Sequence, residues 1–187
     1  MLAIAGCIIT VDSMGCQVEV AQTIVAQEAD YILALKENQP LLYADVECLF
    51  TDLDASPARS YRYVHAQSFD NNHGRAEKRQ CWTIADPEVV QYLCCAERWP
   101  KLQCVVRVRR EYVDGDAQKC EGRFFLSSLT GSAEQMLEGV RVHWHVVSKT
   151  SCIGYSILLF VCCLLSSVAL PQYQSLLHRA CLRTFAQ

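Results

Sequence analysis

No acidic side chain occurs in the last 41 of the 187 residues, Val147 to Gln187. All 20 acids lie between Asp12 and Glu138. The body sets 14 strong bases against those 20 acids and is net −6, whereas the tail holds Lys149, Arg179 and Arg183 and is net +3. So sharp a break marks a different domain, a membrane segment or a different reading history of the gene. Strong overall positive charge is also missing. A net charge of −3 excludes a histone-like nucleic-acid binder, though not a local basic patch. The start, Met1-Leu2-Ala3-Ile4-Ala5-Gly6, has no basic stretch before an apolar core, so no secretory signal is expected. Paired C-x-x-C hooks are absent, so the 12 cysteines do not read as a zinc framework. They read as reduced cytoplasmic thiols acting as small hydrophobes. No internal repeat or low-complexity stretch precedes the tail.

A hydrophobic content of 51% with 20% charged residues excludes a disordered or fibrous chain, and the length suits one domain with a real core. Gly6 to Val11 is a β-branched run, expected to be a buried strand. Val18, Ala21, Ile24 and Val25 recur at helical spacing to about Gln27. Tyr31 to Leu35 is a second strand, and Pro40 opens a helix to about Phe50. Strand, helix, strand, helix with short links predicts a parallel α/β sheet. β-like segments follow at Tyr61–Phe69, Arg75–Ile84, Cys104–Tyr112 and Arg123–Ser127. In the third, Val106 and Val108 alternate with Arg107 and Arg109, as in a strand with one exposed face. Asp114-Gly115-Asp116 predicts a hairpin turn, and Ser132 caps a helix to about Trp144. The uncharged run Ile153–Leu170 barely reaches membrane-spanning length.

Asp12 follows the first strand, where open α/β sheets place ligands, and a carboxylate there can hold a divalent cation. The alternative is that it merely caps the following helix. His73-Gly74-Arg75 with Glu77 and Arg79 makes a charged group at a turn, readable as a phosphate or metal contact or as a solvated hairpin. Arg98, Lys101, Arg107, Arg109 and Arg110 form the densest basic stretch, suited to phosphate contacts or to an exposed face balanced by Glu97, Glu111 and Asp114. His143 and His145 diverge on a helix and make a poor metal pair.

Taken in order, several blocks resemble one family. Gly6-Cys7-Ile8-Ile9-Thr10-Val11-Asp12-Ser13-Met14-Gly15-Cys16-Gln17 is similar to the G-x-I-(V/I)-T-(I/V)-D-A-M-G-C-Q block of the ISAs-type, or H-repeat-associated, DDE transposases of bacterial insertion sequences. Asp30 to Gln39, with Lys36, Asn38 and Gln39, resembles D-Y-(V/L)-L-A-L-K-x-N-Q. His73 to Arg79 resembles H-G-R-x-E-x-R, with Arg75 and Glu77 in place. Trp99-Pro100, Phe124 to Leu129 and Val140 to Trp144 match W-P, (Y/F)-(Y/F)-(I/L)-S-S-L and V-R-x-H-W. The resemblance runs from Ala5 to about Val146.

It implies an RNase H-like fold, a β-rich insertion over about 61–128, and Mg²⁺-dependent cleavage and transfer of DNA strands at transposon ends. Asp12 corresponds to the second of three metal carboxylates. The first Asp, in a D-G-K block on an earlier strand, has no counterpart here, so a chain truncated at its N-terminus is expected. Arg75, Lys78, Arg79, Arg107 and Arg109 become candidate DNA contacts, and DNA and further copies of the chain the expected partners. An unpaired sheet edge beside Gly6–Val11 is a further expectation.

The family's Glu should follow His143-Trp144, but the pattern stops at Val147. Regrouping the allowed codons of Val147 to Phe160 one base earlier spells Ile-Glu-Asn-Lys-Leu-His-Trp-Val-Leu-Asp-Ile-Thr-Phe, which restores the family's block. Residues 1–146 are therefore expected to be a partial, α/β, RNase H-like domain that binds Mg²⁺ poorly and does not transfer strands. Residues 147–187 are expected to be an out-of-frame, non-native apolar tail. The alternative is a small protein anchored in a membrane by 153–170.

Overall fold

The computed structural model describes residues 4–56, 62–72, 75–114 and 117–149. The chain runs β1 (Ile8–Val11), α1 (Val18–Ala26), β2 (Asp30–Leu35), α2 (Pro40–Ala55), β3 (Tyr63–Asn72), β4 (Arg75–Ile84), α3 (Pro87–Val90), β5 (Cys104–Asp114), β6 (Ala117–Ser127) and α4 (Ala133–Lys149). All six strands join one mixed sheet in the order β1-β2-β6-β5-β4-β3. Only β1 and β2 are parallel, in register Ile8↔Asp30 to Val11↔Leu33. The helix α1 carries the crossover between them, as a parallel pair requires. The rest is an antiparallel meander, and β6 returns to lie beside β2. β1 therefore forms one edge of the sheet, pairing with β2 alone among the described strands.

Both faces are covered. On one, Ile9, Val11, Tyr31, Leu33, Leu35, Ile84, Val105 and Leu126 pack under Ala21 and Ile24 of α1 and Leu42, Val46, Leu49, Phe50 and Leu53 of α2. On the other, Ile32, Ala34, Ala66, Cys81, Cys104, Val106, Val108 and Phe125 pack under Ala133, Met136, Leu137 and Val140 of α4. Pro40 lies in the first turn of α2, where its missing N–H costs nothing. The Ser132 hydroxyl accepts from Gln135 N at 3.4 Å while the Gln135 side-chain oxygen accepts from Ser132 N at 3.2 Å, a reciprocal cap that starts α4. β5 and β6 pair antiparallel up to Asp114 opposite Ala117, and positions 115 and 116 of the expected turn lie outside the described residues.

Several expected bounds need correction: β3 spans Tyr63–Asn72 rather than Tyr61–Phe69, and α4 runs past Trp144 to Lys149. The first strand begins at Ile8 rather than Gly6, and β6 begins at Ala117 rather than Arg123. The helix α2 runs a full turn past Phe50, to Ala55. That extra turn covers the face of β5 that the alternation had left to solvent, so Arg107 is only 9% exposed. No described helix is long and apolar enough to cross a membrane. The run 153–170, like the rest of 150–187, lies outside the described residues.

Candidate functional site

Val11 ends β1, and the backbone of Asp12 turns the chain into a single 3-10 turn, Ser13–Gly15. Asp12 Oδ1 accepts from Met14 N at 3.2 Å and Gly15 N at 3.3 Å. Asp12 thus caps the turn, and it is also an exposed carboxylate at the carboxyl end of a buried parallel strand. It does not cap the helix α1, whose N-cap position is Gln17. Gly15 is required sterically: a Cβ there would stand 2.3 Å from Cγ1 of Val11. Cys16, next along, is fully buried, and burial pushes its thiol up to about 12, so it packs as an apolar side chain.

The loop after β2 holds this turn. Asn38 Nδ2 donates to the carbonyls of Ser13 at 2.8 Å and Cys16 at 3.3 Å, and Gln39 Nε2 donates to Cys16 O at 3.2 Å. Gln17 Nε2 adds a bond to Met14 O at 3.1 Å. The D-S-M-G-C-Q and K-E-N-Q blocks are therefore two halves of one hydrogen-bonded corner. Lys36 is exposed at the same end of the sheet, one residue past β2. Asn38 and Gln39 hydrogen-bond the backbone of the turn that Asp12 caps.

The opposite end of β2 gathers three more blocks. Ser127 Oγ donates to Tyr31 O at 2.9 Å, and Ser128 Oγ accepts from Tyr31 N at 2.9 Å and donates to Asp30 Oδ1 at 2.8 Å. Tyr31 OH donates to Pro100 O at 2.9 Å. The D-Y, W-P and S-S-L blocks thus meet in a buried polar joint. Sequence reasoning had given these serines and this tyrosine no role.

The basic candidates disperse. Arg107 is drawn inward, its guanidinium forked onto Asp54 at 2.7 and 2.8 Å and lying 4.2 Å from the Trp82 ring centre and 5.0 Å from that of Phe50. The same bonds hold the Asp54 carboxyl below its ordinary pKa. A helix ending at Phe50 leaves Asp54 out of the fold's reckoning, and its extension to Ala55 supplies the partner. Arg79 pairs with Glu77 and with Asp70, and Glu77 also takes Arg110 at 2.7 Å. The Glu and second Arg of the H-G-R-x-E-x-R block are therefore cross-strand struts. Lys78 lies 4.0 Å from Glu111, and Arg109 lies 3.4 Å from Glu111 and 2.9 Å from Cys120 Sγ. His73 and the side chains of Arg75, His143 and Trp144 lie outside the described residues.

Compared with known proteins, the chain is 35% identical over 126 residues to "Uncharacterized protein in dhlA 3'region" of Xanthobacter autotrophicus, a match covering 67% of this chain and 40% of that protein. It is 30% identical over 151 residues to "H repeat-associated putative transposase YhhI" of Escherichia coli K12, covering 80% of this chain and 39% of the relative. The chain belongs to the H-repeat-associated transposase family. Against "Putative transposase YncI" of Escherichia coli O157:H7 it is 30% identical over 141 residues, 73% of this chain and 35% of that one. This family member thus spans about two fifths of the length of the relatives it matches. No protein-family profile and no solved structure matches it.

The family resemblance implies magnesium, and the described residues do not fit a pair of such ions. No group of three His, Cys, Asp or Glu side chains converges among them. Asp12 is one carboxylate, and one of its oxygens already serves two backbone N–H groups. Two divalent cations side by side need several anionic oxygens to offset their repulsion and dehydration.

Proposed function

We propose that residues 5–146 form part of the catalytic domain of a DDE transposase, with Asp12 as one of its metal carboxylates, and that this chain does not itself cut or join DNA. The observation that carries the reading is the placement of Asp12. It is an exposed carboxylate at the carboxyl end of β1, beside a parallel neighbour, in a corner clamped by Asn38 and Gln39. Open α/β sheets bind ligands at that end. On this reading β1 and β2 belong to an RNase H-like core, and the meander β3–β6 is the insertion that separates Asp12 from a third carboxylate. Residues from Val147 onward are read out of frame, and sequencing of the gene tests this directly: codons incompatible with the regrouped block overturn it.

DNA is the partner this reading implies. Its phosphates fall to Lys78 and Arg109, whose side chains are 34% and 47% exposed, while Arg107 is withdrawn into the fold. Both exposed cations share Glu111, so phosphate contact there is weak and salt-dependent. The deciding experiment incubates the purified chain with labelled transposon-end duplex and Mg²⁺. The expected result is no cleavage above the protein-free control. A product with a free 3′ end, or one joined to target DNA, overturns the proposal.

A further inference from the structure

The short segment between α3 and β5 displays a feature that the transposase reading leaves unused. Cys94 and Cys95 occupy the two central positions of a β-turn, closed by Ala96 N donating to Leu93 O at 3.0 Å. Leu93 and Ala96 on either side are buried, which anchors the turn. Cys94 N donates to Asp45 Oδ2 at 2.8 Å, tying the turn to α2. Cys95 is exposed and has φ +60°, in the left-handed region that glycine or asparagine usually fills. The result is two thiol sulfurs held 3.6 Å apart at the surface.

We propose that Cys94 and Cys95 form a two-thiol chelating site for soft trivalent metalloids, of the class of monosubstituted arsenicals. Soft thiol donors select soft acceptors. A pyramidal trivalent arsenic atom that carries one organic group has two positions left, close together, for a pair of adjacent sulfurs. With phenylarsine oxide the step balances without redox change. Two sulfur–arsenic bonds form, the bonds from arsenic to the oxide oxygen break, and the two thiol protons leave with that oxygen as water. Arsenic stays trivalent. Once one sulfur has bonded, the other is already in place, so the second bond forms at high effective concentration. A monothiol competitor lacks that advantage. Contact with Cys95, with partial burial, holds the Cys94 thiol above its ordinary pKa. Cys94 and Cys95 are the one adjacent pair among the described cysteines: Cys16, Cys81 and Cys104 are buried, Cys7 is half-buried, and Cys48 and Cys120 are exposed on α2 and β6.

The test uses the reduced full chain carrying Cys162→Ser and Cys163→Ser, which removes the other adjacent pair. One equivalent of phenylarsine oxide is added in excess 2-mercaptoethanol, and adducts are read by intact mass and peptide mapping. The expected result is one phenylarsine retained on the peptide containing Cys94 and Cys95, and released by 2,3-dimercaptopropanol. Cys95→Asn suits the left-handed turn position, so it keeps the fold by circular dichroism and lowers retention by about tenfold or more. No retention in the parent, retention mapped to another peptide, or retention unchanged in Cys95→Asn overturns the proposal.

Discussion

The two ends of β2 are built from the same kind of material and do opposite things. At the carboxyl end, the turn after β1 and the loop after β2 are joined by Asn38 and Gln39 on the surface, and Asp12 stands open beside them. At the amino end, Ser127, Ser128 and Tyr31 satisfy one another inside the protein, with Ser127 and Tyr31 fully buried. Both ends are made of blocks that carry the family resemblance, yet only the carboxyl end presents an exposed carboxylate, Asp12. A shared block therefore marks either a joint or a site, and burial tells them apart. A buried polar group must be paired within the fold, whereas an exposed one keeps capacity for something else.

The largest test of this contrast is Ser128→Ala. It strips the partner from Tyr31 N and from Asp30 Oδ1 together, at a residue only 7% exposed. Two groups left unpaired in a nearly dry setting cost about 3 kcal/mol. Urea unfolding followed by circular dichroism should show a midpoint shift at unchanged slope. A cost under about 0.5 kcal/mol, the range of ordinary surface changes, would mean that water reaches this joint and that the two ends do not differ in kind.

Gly15→Ala probes the open end from its one tightly packed atom. The new methyl overlaps Cγ1 of Val11, a branched side chain that is itself only 8% exposed and held against the core. Overpacking of this kind costs about 2 kcal/mol. The strain falls on the turn that Asp12 caps, so amide exchange of Met14 and Gly15 should speed up while that of Tyr31 and Ser128 stays unchanged. Equal acceleration at both ends would show that the corner is not a separate unit.

How much of this was legible from residues alone follows the same division. The alternation of strand and helix through Phe50, the β5–β6 hairpin and the Ser132 cap were readable because each rests on local chemistry: periodicity, a turn sequence, a capping side chain. The position of Asp12 at a strand end was readable for the same reason. Arg107 was not. Its alternation with Val106 looked like an exposed face, and it took the C-terminal half of α2, about fifty residues earlier in the chain, to supply Asp54 and Phe50 as its neighbours. The pairing of Arg79 with Asp70 and of Arg110 with Glu77 was hidden likewise, since cross-strand register is a non-local fact. Charges in sequence therefore overstated the basic surface, because most of the described candidates are neutralised by acids on neighbouring elements.

The smallest effect is expected from Asn38→Ala, and it sharpens the comparison most. The substitution removes two hydrogen bonds to carbonyls of the Asp12 turn, but water takes over at Ser13 O, and Cys16 O keeps its bond from Gln39 Nε2. The cost to global stability is about 1 kcal/mol, at the level of an ordinary hydrogen bond and well below that of Ser128→Ala. Its effect on local order is larger than that figure suggests, because Gln39 alone then links the loop after β2 to the turn. Limited proteolysis between Ser13 and Gln17 should increase several-fold while the midpoint of urea unfolding moves little. If cleavage there stays at the level of the unchanged protein, the Asp12 corner is held by β1 and Gly15 and not by its partner loop. The two blocks would then be neighbours without being coupled.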